Sequence, residues 1–130
     1  MCDADNFKGI NDTYGHNLGD RVLKLIAENL NSNTRHDDIV CRYGGDEFLV
    51  IFQFCSLNVV VDRMKKIQES IEKIGIDLGI NVTLSIGIAE SKNGLSLDDA
   101  IIQADKALYF SKGNGKSQIS IYERVKNKTK

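Results

Sequence analysis

Two adjacent carboxylates near the middle of the chain are the residues best suited to chemistry. Asp46 and Glu47 follow Gly44 and Gly45 and lie between two runs of strand-forming residues. This pattern predicts a tight β-hairpin in which the glycines take positive φ and the acidic side chains lie at the tip. Carboxylate oxygens suit a hard divalent cation, so the tip could hold a metal ion. Taken alone, the same residues also fit a solvated turn.

A second group of acidic residues lies near the start of the chain, at residues 3–12. It is followed by the pairs Gly15-His16 and Gly19-Asp20. Three segments together resemble the GGDEF family, the diguanylate cyclases: Asp-x-Asp-x-Phe-Lys-x-Ile-Asn-Asp, Gly-His-x-x-Gly-Asp and Arg-Tyr-Gly-Gly-Asp-Glu-Phe. The agreement in residue type, order and spacing covers residues 3 to 48, and weaker agreement continues to the C-terminus. Chance similarity does not explain a match of this length.

The resemblance implies a metal site and a base. By analogy with the family, Asp3 and Asp46 bind Mg²⁺, with Mn²⁺ as an alternative, and Ala4 contributes its backbone carbonyl. Asp46 is also expected to accept the proton of the attacking 3′-hydroxyl, and Glu47 supports it. Mg²⁺ needs only one or two protein carboxylates when phosphate oxygens complete its coordination. Asp5 is predicted to lie on the opposite face of the strand from Asp3 and to be a structural carboxylate.

The resemblance also implies a guanine nucleotide as substrate. Guanine has donors at N1 and N2 and an acceptor at O6, so a selective site needs one carboxylate and one amide, and Asn11 with Asp20 would provide them. His16 is expected nearby as a further substrate contact. Lysine replaces the family's usual arginine at position 116. A single ammonium charge therefore stands in place of a planar guanidinium, which can bind a phosphate through two parallel hydrogen bonds. The lysines that match phosphate contacts are Lys8, Lys112 and Lys116.

An Arg-x-x-Asp segment precedes the glycine pair at the spacing of the family's inhibitory site. Arg35 is expected to meet phosphate or the guanine edge of the product, cyclic di-GMP, and Asp38 to accept from guanine. Arg63 or Lys66 could add a further positive charge. In isolation the segment would be an ordinary polar turn.

Two functions are open at this point. The first is an enzyme that condenses two GTP molecules to cyclic di-GMP and pyrophosphate, with a homodimer needed because each domain presents one nucleotide to the other. The alternative is a catalytically weak GGDEF domain that senses GTP or cyclic di-GMP. The activity of the isolated chain is left open, because the family's usual N-terminal helix and part of its first strand, roughly thirty residues of an ordinary domain, are expected to be absent.

Composition excludes several classes of protein. With 130 residues, 42% of them apolar, the chain is long enough for one domain with a real core. A formal charge of −1 provides no basic surface for nucleic acid. No apolar run is long enough to span a bilayer, so no direct membrane contact is expected, and the three cysteines fit a reducing cytoplasm. The expected location is the cytoplasm, either alone or as the cytoplasmic part of a membrane-anchored protein.

Periodicity predicts alternating strands and helices within a single domain of residues 1–130. Apolar residues at helical spacing predict a helix from about Leu18 to Asn31 and another ending at Gly75, and Ser96 is a candidate N-cap for a third. Together with the resemblance, the pattern predicts an α/β (α+β) fold: a ferredoxin-like, polymerase-palm or nucleotidyl-cyclase-type sheet flanked by helices. Strands are expected near Met1–Ala4, Asp38–Tyr43, Glu47–Phe54, Val82–Ile88 and Ile119–Ile121.

Overall fold

The computed structural model describes residues 1–92 and 94–128. Its strands and helices follow one another along the chain as β1 (Cys2–Ala4), α1 (Phe7–Tyr14), α2 (His16–Ser32), β2 (Ile39–Arg42), β3 (Glu47–Ile51), α3 (Leu57–Asp77), β4 (Leu84–Ile88), α4 (Leu97–Gly113), β5 (Ile119–Ile121) and α5 (Tyr122–Val125). Within the described ranges, no helix is both long and apolar enough to cross a membrane.

The five strands form one sheet in the order β2-β3-β1-β4-β5. The pairs β2–β3, β3–β1 and β1–β4 are antiparallel, whereas β5 runs parallel to β4. The first four strands, with the helices that connect them, have the ferredoxin-like β-α-β-β-α-β arrangement, and α4 and β5 extend it at one edge. The predicted fold class is therefore confirmed, and the short β1 lies at the centre of the sheet.

Apolar residues cover both faces of the sheet. On one face, Cys2 and Ile86 belong to the main core cluster together with Ile26 of α2 and Ile67 of α3. The helical stripes recognised in the sequence are therefore the core-facing sides of these helices. Leu49 instead packs on the other face, in a smaller cluster formed with α4.

Helix α4 approaches the sheet closely at Gly87. A Cβ at that position would lie 2.2 Å from both the Ala104 carbonyl oxygen and the Leu108 nitrogen. Only glycine allows the helix backbone to rest directly on β4 at this point. The N-terminus of the same helix is capped as predicted, because the Ser96 hydroxyl accepts from the Asp99 amide at 3.1 Å.

The sequence patterns did not predict α1 and α5. Helix α1 has only eight residues, including a glycine and a β-branched threonine, although Phe7, Ile10 and Tyr14 recur at helical spacing and Ile10 is buried. It forms because it packs against α2. The observed boundaries differ from the predicted ones by a few residues. In the structure α2 begins at His16, α3 extends to Asp77, β3 ends at Ile51 and β4 begins at Leu84.

Candidate functional site

Residues 43–46 form the loop at the tip of the β2–β3 hairpin. The ends of this loop are closed because the amides of Tyr43 and Gly44 both donate to the Glu47 carbonyl, at 2.8 and 3.3 Å. The Arg42 guanidinium braces the tip by donating from Nε to the carbonyls of Gly44 and Gly45, at 3.2 and 3.0 Å, and from Nη2 to Gly45 at 2.5 Å. The side chain of Arg42 therefore fixes the backbone immediately before Asp46.

The conformation predicted for the two glycines is wrong. Neither Gly44 nor Gly45 is among the described residues with positive φ. A loop longer than two residues does not require the left-handed conformation that a two-residue hairpin turn would demand. The bracing role of Arg42 was also missed, although an arginine close before a glycine pair could have suggested it.

Strand β1 brings a third carboxylate to this tip. Asp3 is paired across the strands with Glu47 on one side and with Ser85 on the other. The Ala4 amide donates to the Asp46 carbonyl at 3.1 Å, so the loop is held against β1 directly before β3 begins. The sheet register therefore places Asp3, Asp46 and Glu47 close together.

Lys112, at the C-terminal end of α4, reaches this carboxylate group from the other side. Its Nζ lies 2.5 Å from Oδ2 of Asp3, whose side chain is 4% exposed. Burial raises the pKa of the Asp3 carboxyl to about 6; the hydrogen bond from Lys112 opposes this shift and the charge of Asp46 adds to it. Burial alone would lower the pKa of Lys112, but its hydrogen bond to Asp3 and the nearby negative charges raise it.

The donor set fits a hard cation only in part. Among the described residues, no group of three or more His, Cys, Asp or Glu side chains is arranged to hold a metal ion. However, the negative charges of Asp46 and Glu47 reach Asp3 strongly enough to raise its pKa, and Lys112 balances them. A cation that shares its coordination with phosphate oxygens needs only one or two of these carboxylates. The residues therefore fit a cation bound together with a nucleotide.

The predicted guanine-reading residues lie on α1 and α2. Asn11 Oδ1 is buried, and it is the buried side-chain atom that lacks a hydrogen-bond partner within the described part of the chain. A Cβ at Gly19 would lie 1.8 Å from this oxygen, so only glycine leaves room for the amide. Asp20 follows Gly19 and is exposed. The exposed carboxylate of Asp20 offers an acceptor to a polar ligand, whereas the Asn11 oxygen is covered by the protein.

The remaining predicted substrate contacts are exposed. Lys8 lies on α1, and His16 is the first residue of α2. Lys116 lies in the loop between α4 and β5, on the wall of a cavity of about 410 Å³ that Asn6 and Thr13 also line. The structure thus clusters Asp3, Asp46, Glu47 and Lys112, and it distributes the other residues over the adjoining elements.

The Arg-x-x-Asp segment lies at the base of the hairpin. Asp38 is 2% exposed at its side chain, and its carboxylate accepts from the backbone amides of Arg35 at 2.8 Å and Gln53 at 3.1 Å. Arg63 of α3 approaches it at 3.8 Å. The exposed Arg35 is therefore the part of the segment open to a ligand, whereas Asp38, with Arg63 beside it, serves mainly to shape the turn.

The prediction for Asp5 was wrong in one respect. Asp5 lies on the same side of the sheet as Asp3, because its carboxylate accepts from the hydroxyl of Ser85, the residue opposite Asp3. Residues two apart on a strand share a face. Its hydrogen bonds to protein groups agree with a structural carboxylate.

Together, the palm-like sheet and the acidic hairpin beside β1 define the class of nucleotide-cyclising and polymerising domains. The family model described as "Diguanylate cyclase, GGDEF domain" matches residues 1–118. Diguanylate cyclase A of Treponema denticola is 42% identical over 125 residues, which cover 93% of this chain and 34% of that protein. The chain belongs to the GGDEF family.

Two solved structures are similar in both sequence and fold. The GGDEF domain of DgcB from Caulobacter crescentus in complex with c-di-GMP is 32% identical with a TM-score of 0.86, over 94% of this chain and 75% of that one. The active GGEEF domain of a diguanylate cyclase from Vibrio cholerae is 28% identical with a TM-score of 0.87, over 93% and 79%. The chain spans about a third of the length of the curated relatives that it matches, from 28% to 37%.

Proposed function

We propose that this chain is the catalytic domain of a diguanylate cyclase, which condenses two GTP molecules to cyclic di-GMP with release of pyrophosphate. The observation that carries the proposal is the convergence of Asp3, Asp46 and Glu47 with Lys112 where β1 meets the hairpin tip. Family membership and the relatives' names support the same reaction.

The acidic residues would act on the 3′-hydroxyl and on the metal. Asp3 and Asp46, with the Ala4 carbonyl, would hold Mg²⁺ or Mn²⁺, which when bound neutralises charge on the triphosphate and on the leaving pyrophosphate. Asp46 would accept the hydroxyl proton, and Glu47 would keep the local field negative. Arg42 would hold the loop so that Asp46 keeps its position.

Base selection would come from α1 and α2. Asn11 would supply the side-chain amide of the pair that reads guanine. Asp20 would accept from N1 and N2 of the same base, and His16 would contact the nucleotide nearby. Lys8, Lys112 and Lys116 would balance the charge of the phosphates. When a nucleotide and a cation bind, Lys112 would leave the Asp3 carboxylate and contact a phosphate oxygen instead.

A second ligand site would regulate the first. We propose that cyclic di-GMP binds at Arg35 with Arg63, while Asp38 holds the backbone of Arg35 in place. Strand β2 has four residues, so this site lies about 13 Å along the hairpin from its tip at ordinary strand rise. Catalysis itself would need a homodimer, because one domain presents a single nucleotide. We propose a cytoplasmic location, where GTP is available.

The reaction can be tested directly. The chain is incubated with GTP and Mg²⁺, and the product is identified by chromatography and mass spectrometry. Asp46→Asn should lower the rate of cyclic di-GMP formation by about a hundredfold or more, because it removes the carboxylate that would accept the hydroxyl proton and bind the metal ion. Asp62→Asn, an exposed carboxylate on α3, is the matched control and should not change the rate. Binding of GTP or cyclic di-GMP without any product would instead favour a sensing module.

A further inference from the structure

Asp5 is a buried carboxylate to which the proposed chemistry gives no part. It is 6% exposed and follows β1 directly. It accepts three hydrogen bonds: from the Thr83 hydroxyl at 2.7 Å, from the Ser85 hydroxyl at 2.6 Å and from the Ser117 amide at 3.1 Å. The first two anchor the carboxylate to the start of β4. The third ties a distant loop, 112 residues along the chain, to that anchor.

That loop is held in an unfavourable conformation. Gly115, Lys116 and Ser117 have φ values of 106°, 62° and 46° in succession. The left-handed region is disfavoured for residues with a Cβ, and such residues persist there only where surrounding contacts fix them. Asp5 supplies one such contact at the Ser117 amide. The Ser117 hydroxyl supplies another by donating to Glu72 of α3 at 2.8 Å.

We propose that Asp5 is a positioning residue for substrate phosphate: it fixes the loop at Ser117 and thereby orients the neighbouring Lys116. This inference rests on the proposed function, in which Lys116 contacts the triphosphate. Lys116 lies in the strained turn and lines the cavity beside α1. A lysine carries one point charge on a flexible side chain, so the position of its backbone sets the region that this charge can reach.

Asp5 accepts through both carboxylate oxygens: the Thr83 hydroxyl and the Ser117 amide share Oδ2, and the Ser85 hydroxyl binds Oδ1. Asparagine keeps this arrangement, because its oxygen can take the place of Oδ2 and its NH₂ can donate to the Ser85 hydroxyl, which can rotate to accept. Alanine removes both oxygens and leaves the Ser117 amide without this acceptor. Asp5→Ala should therefore release the loop, whereas Asp5→Asn should retain it.

The test compares the dissociation constants of GTP and GMP, measured by calorimetry in Mg²⁺. In Asp5→Ala the preference for GTP over GMP should fall about tenfold, the typical value of one charge-assisted contact. Ser85→Ala is the matched control, because it removes a hydrogen bond to Asp5 without touching the loop. That control should lower stability and leave the preference within about twofold. A loss of stability alone cannot change this ratio.

A double-mutant cycle shows whether Asp5 acts through Lys116. In a Lys116→Ala background, Asp5→Ala should cause no further loss of GTP preference. Equal losses in both backgrounds would overturn the inference. If Asp5→Ala does not fold, Glu72→Ala tests the second contact that fixes the loop, and an unchanged preference in that variant overturns the inference. A chain that binds neither nucleotide refutes the proposed function and the inference together, whereas GTP binding with an unchanged ratio in Asp5→Ala overturns the inference alone.

Discussion

At the scale of single residues, the surroundings of Asp3 have opposing effects on its pKa. Burial and the charge of Asp46 favour its protonated form, whereas the hydrogen bond from Lys112 favours the ionised form. The net effect holds the pKa of Asp3 at about 6, above its ordinary value of 3.8. An ionised Asp3 without a cation is therefore a cost to the folded state, and a bound cation would remove that cost.

This cost predicts how the stability of the metal-free domain depends on pH. Because the folded-state pKa of Asp3 is raised, its contribution to stability is fully present below about pH 4 and is lost as the pH rises through about 6. Over that interval the free energy of unfolding should fall relative to the Asp3→Asn variant by on the order of 2–3 kcal/mol. Urea unfolding in EDTA at several pH values measures the difference. Parallel curves for the two proteins would contradict the assignment.

Asp20 carries the prediction on base choice. Adenine lacks the N2 amine and has an unprotonated N1, so the carboxylate would face a lone pair. An acceptor that the bound base would cover without offering it a donor costs about 1–3 kcal/mol, so GTP should outcompete ATP by roughly tenfold to a few hundredfold. Asp20→Ser should reduce this preference by removing the charge. Competition with mixed nucleotides is the measurement, and equal use of GTP and ATP by the unmodified chain would exclude Asp20 as the guanine reader.

At the scale of elements, the contact of α4 with β4 determines where Lys112 and the loop after it lie. The helix backbone meets the sheet at Gly87, and the hydroxyl of Ser111 donates to the Ile86 carbonyl at 2.9 Å one residue before Lys112. A shift of this helix would move Lys112 away from Asp3. The geometry of the acidic cluster therefore depends on a packing contact far from its residues in sequence.

Gly87→Ala tests that dependence. Its new Cβ would lie 2.2 Å from two backbone atoms of α4, and backbone cannot rotate away. Overpacking of this kind should lower the free energy of unfolding by about 1–3 kcal/mol, and turnover should fall with it. Gly113→Ala, at the end of the same helix, meets nothing within 4 Å and should change stability by less than about 0.5 kcal/mol. Denaturant titration distinguishes the two, and equal stabilities would show that α4 can move freely.

At the scale of the whole molecule, one hairpin connects two proposed ligand sites. Its tip carries Asp46, and its base carries Arg35 and Asp38, which is tied to α3 through Arg63. Product bound at the base could thus influence the position of β3 without contacting the reaction site. The site at the tip and the site at the base are joined by the paired strands β2 and β3. Among the described residues, no side-chain contact links the two sites directly.

Arg35→Ala tests the independence of these sites. Cyclic di-GMP binding, measured by calorimetry, should weaken about tenfold or more because a charge-assisted contact is lost. Product inhibition should weaken in parallel, while the initial rate with GTP should not change. Arg124→Ala is the control, since α5 follows β5 at the opposite edge of the sheet from β2. Unaltered product affinity in Arg35→Ala would remove this segment from regulation.

The sequence alone was sufficient for the family, the fold class and the three long helices. Asp3, Asn11, Asp20 and Asp46 could be selected as candidates because the motifs that contain them resemble those of the GGDEF family, whereas Asn11 alone would have been interpreted as a loop or capping residue. The long helices were also accessible, because α2 and α3 each bury a continuous apolar stripe. Ser96 could be recognised as an N-cap because capping depends on residues three apart.

Only the tertiary structure decided what depends on distant contacts. Helix α1 has three apolar residues at helical spacing, but eight residues are too few to form a stable helix alone, so its packing on α2 decides that it forms. The ion pair of Lys112 with Asp3 joins residues 109 apart, and the bond of Ser117 with Asp5 joins residues 112 apart. Asp38 has the sequence position of a ligand-binding residue, yet its oxygens already bind the backbone. Local spacing specifies which groups are available, whereas long-range packing determines which of them remain free to bind.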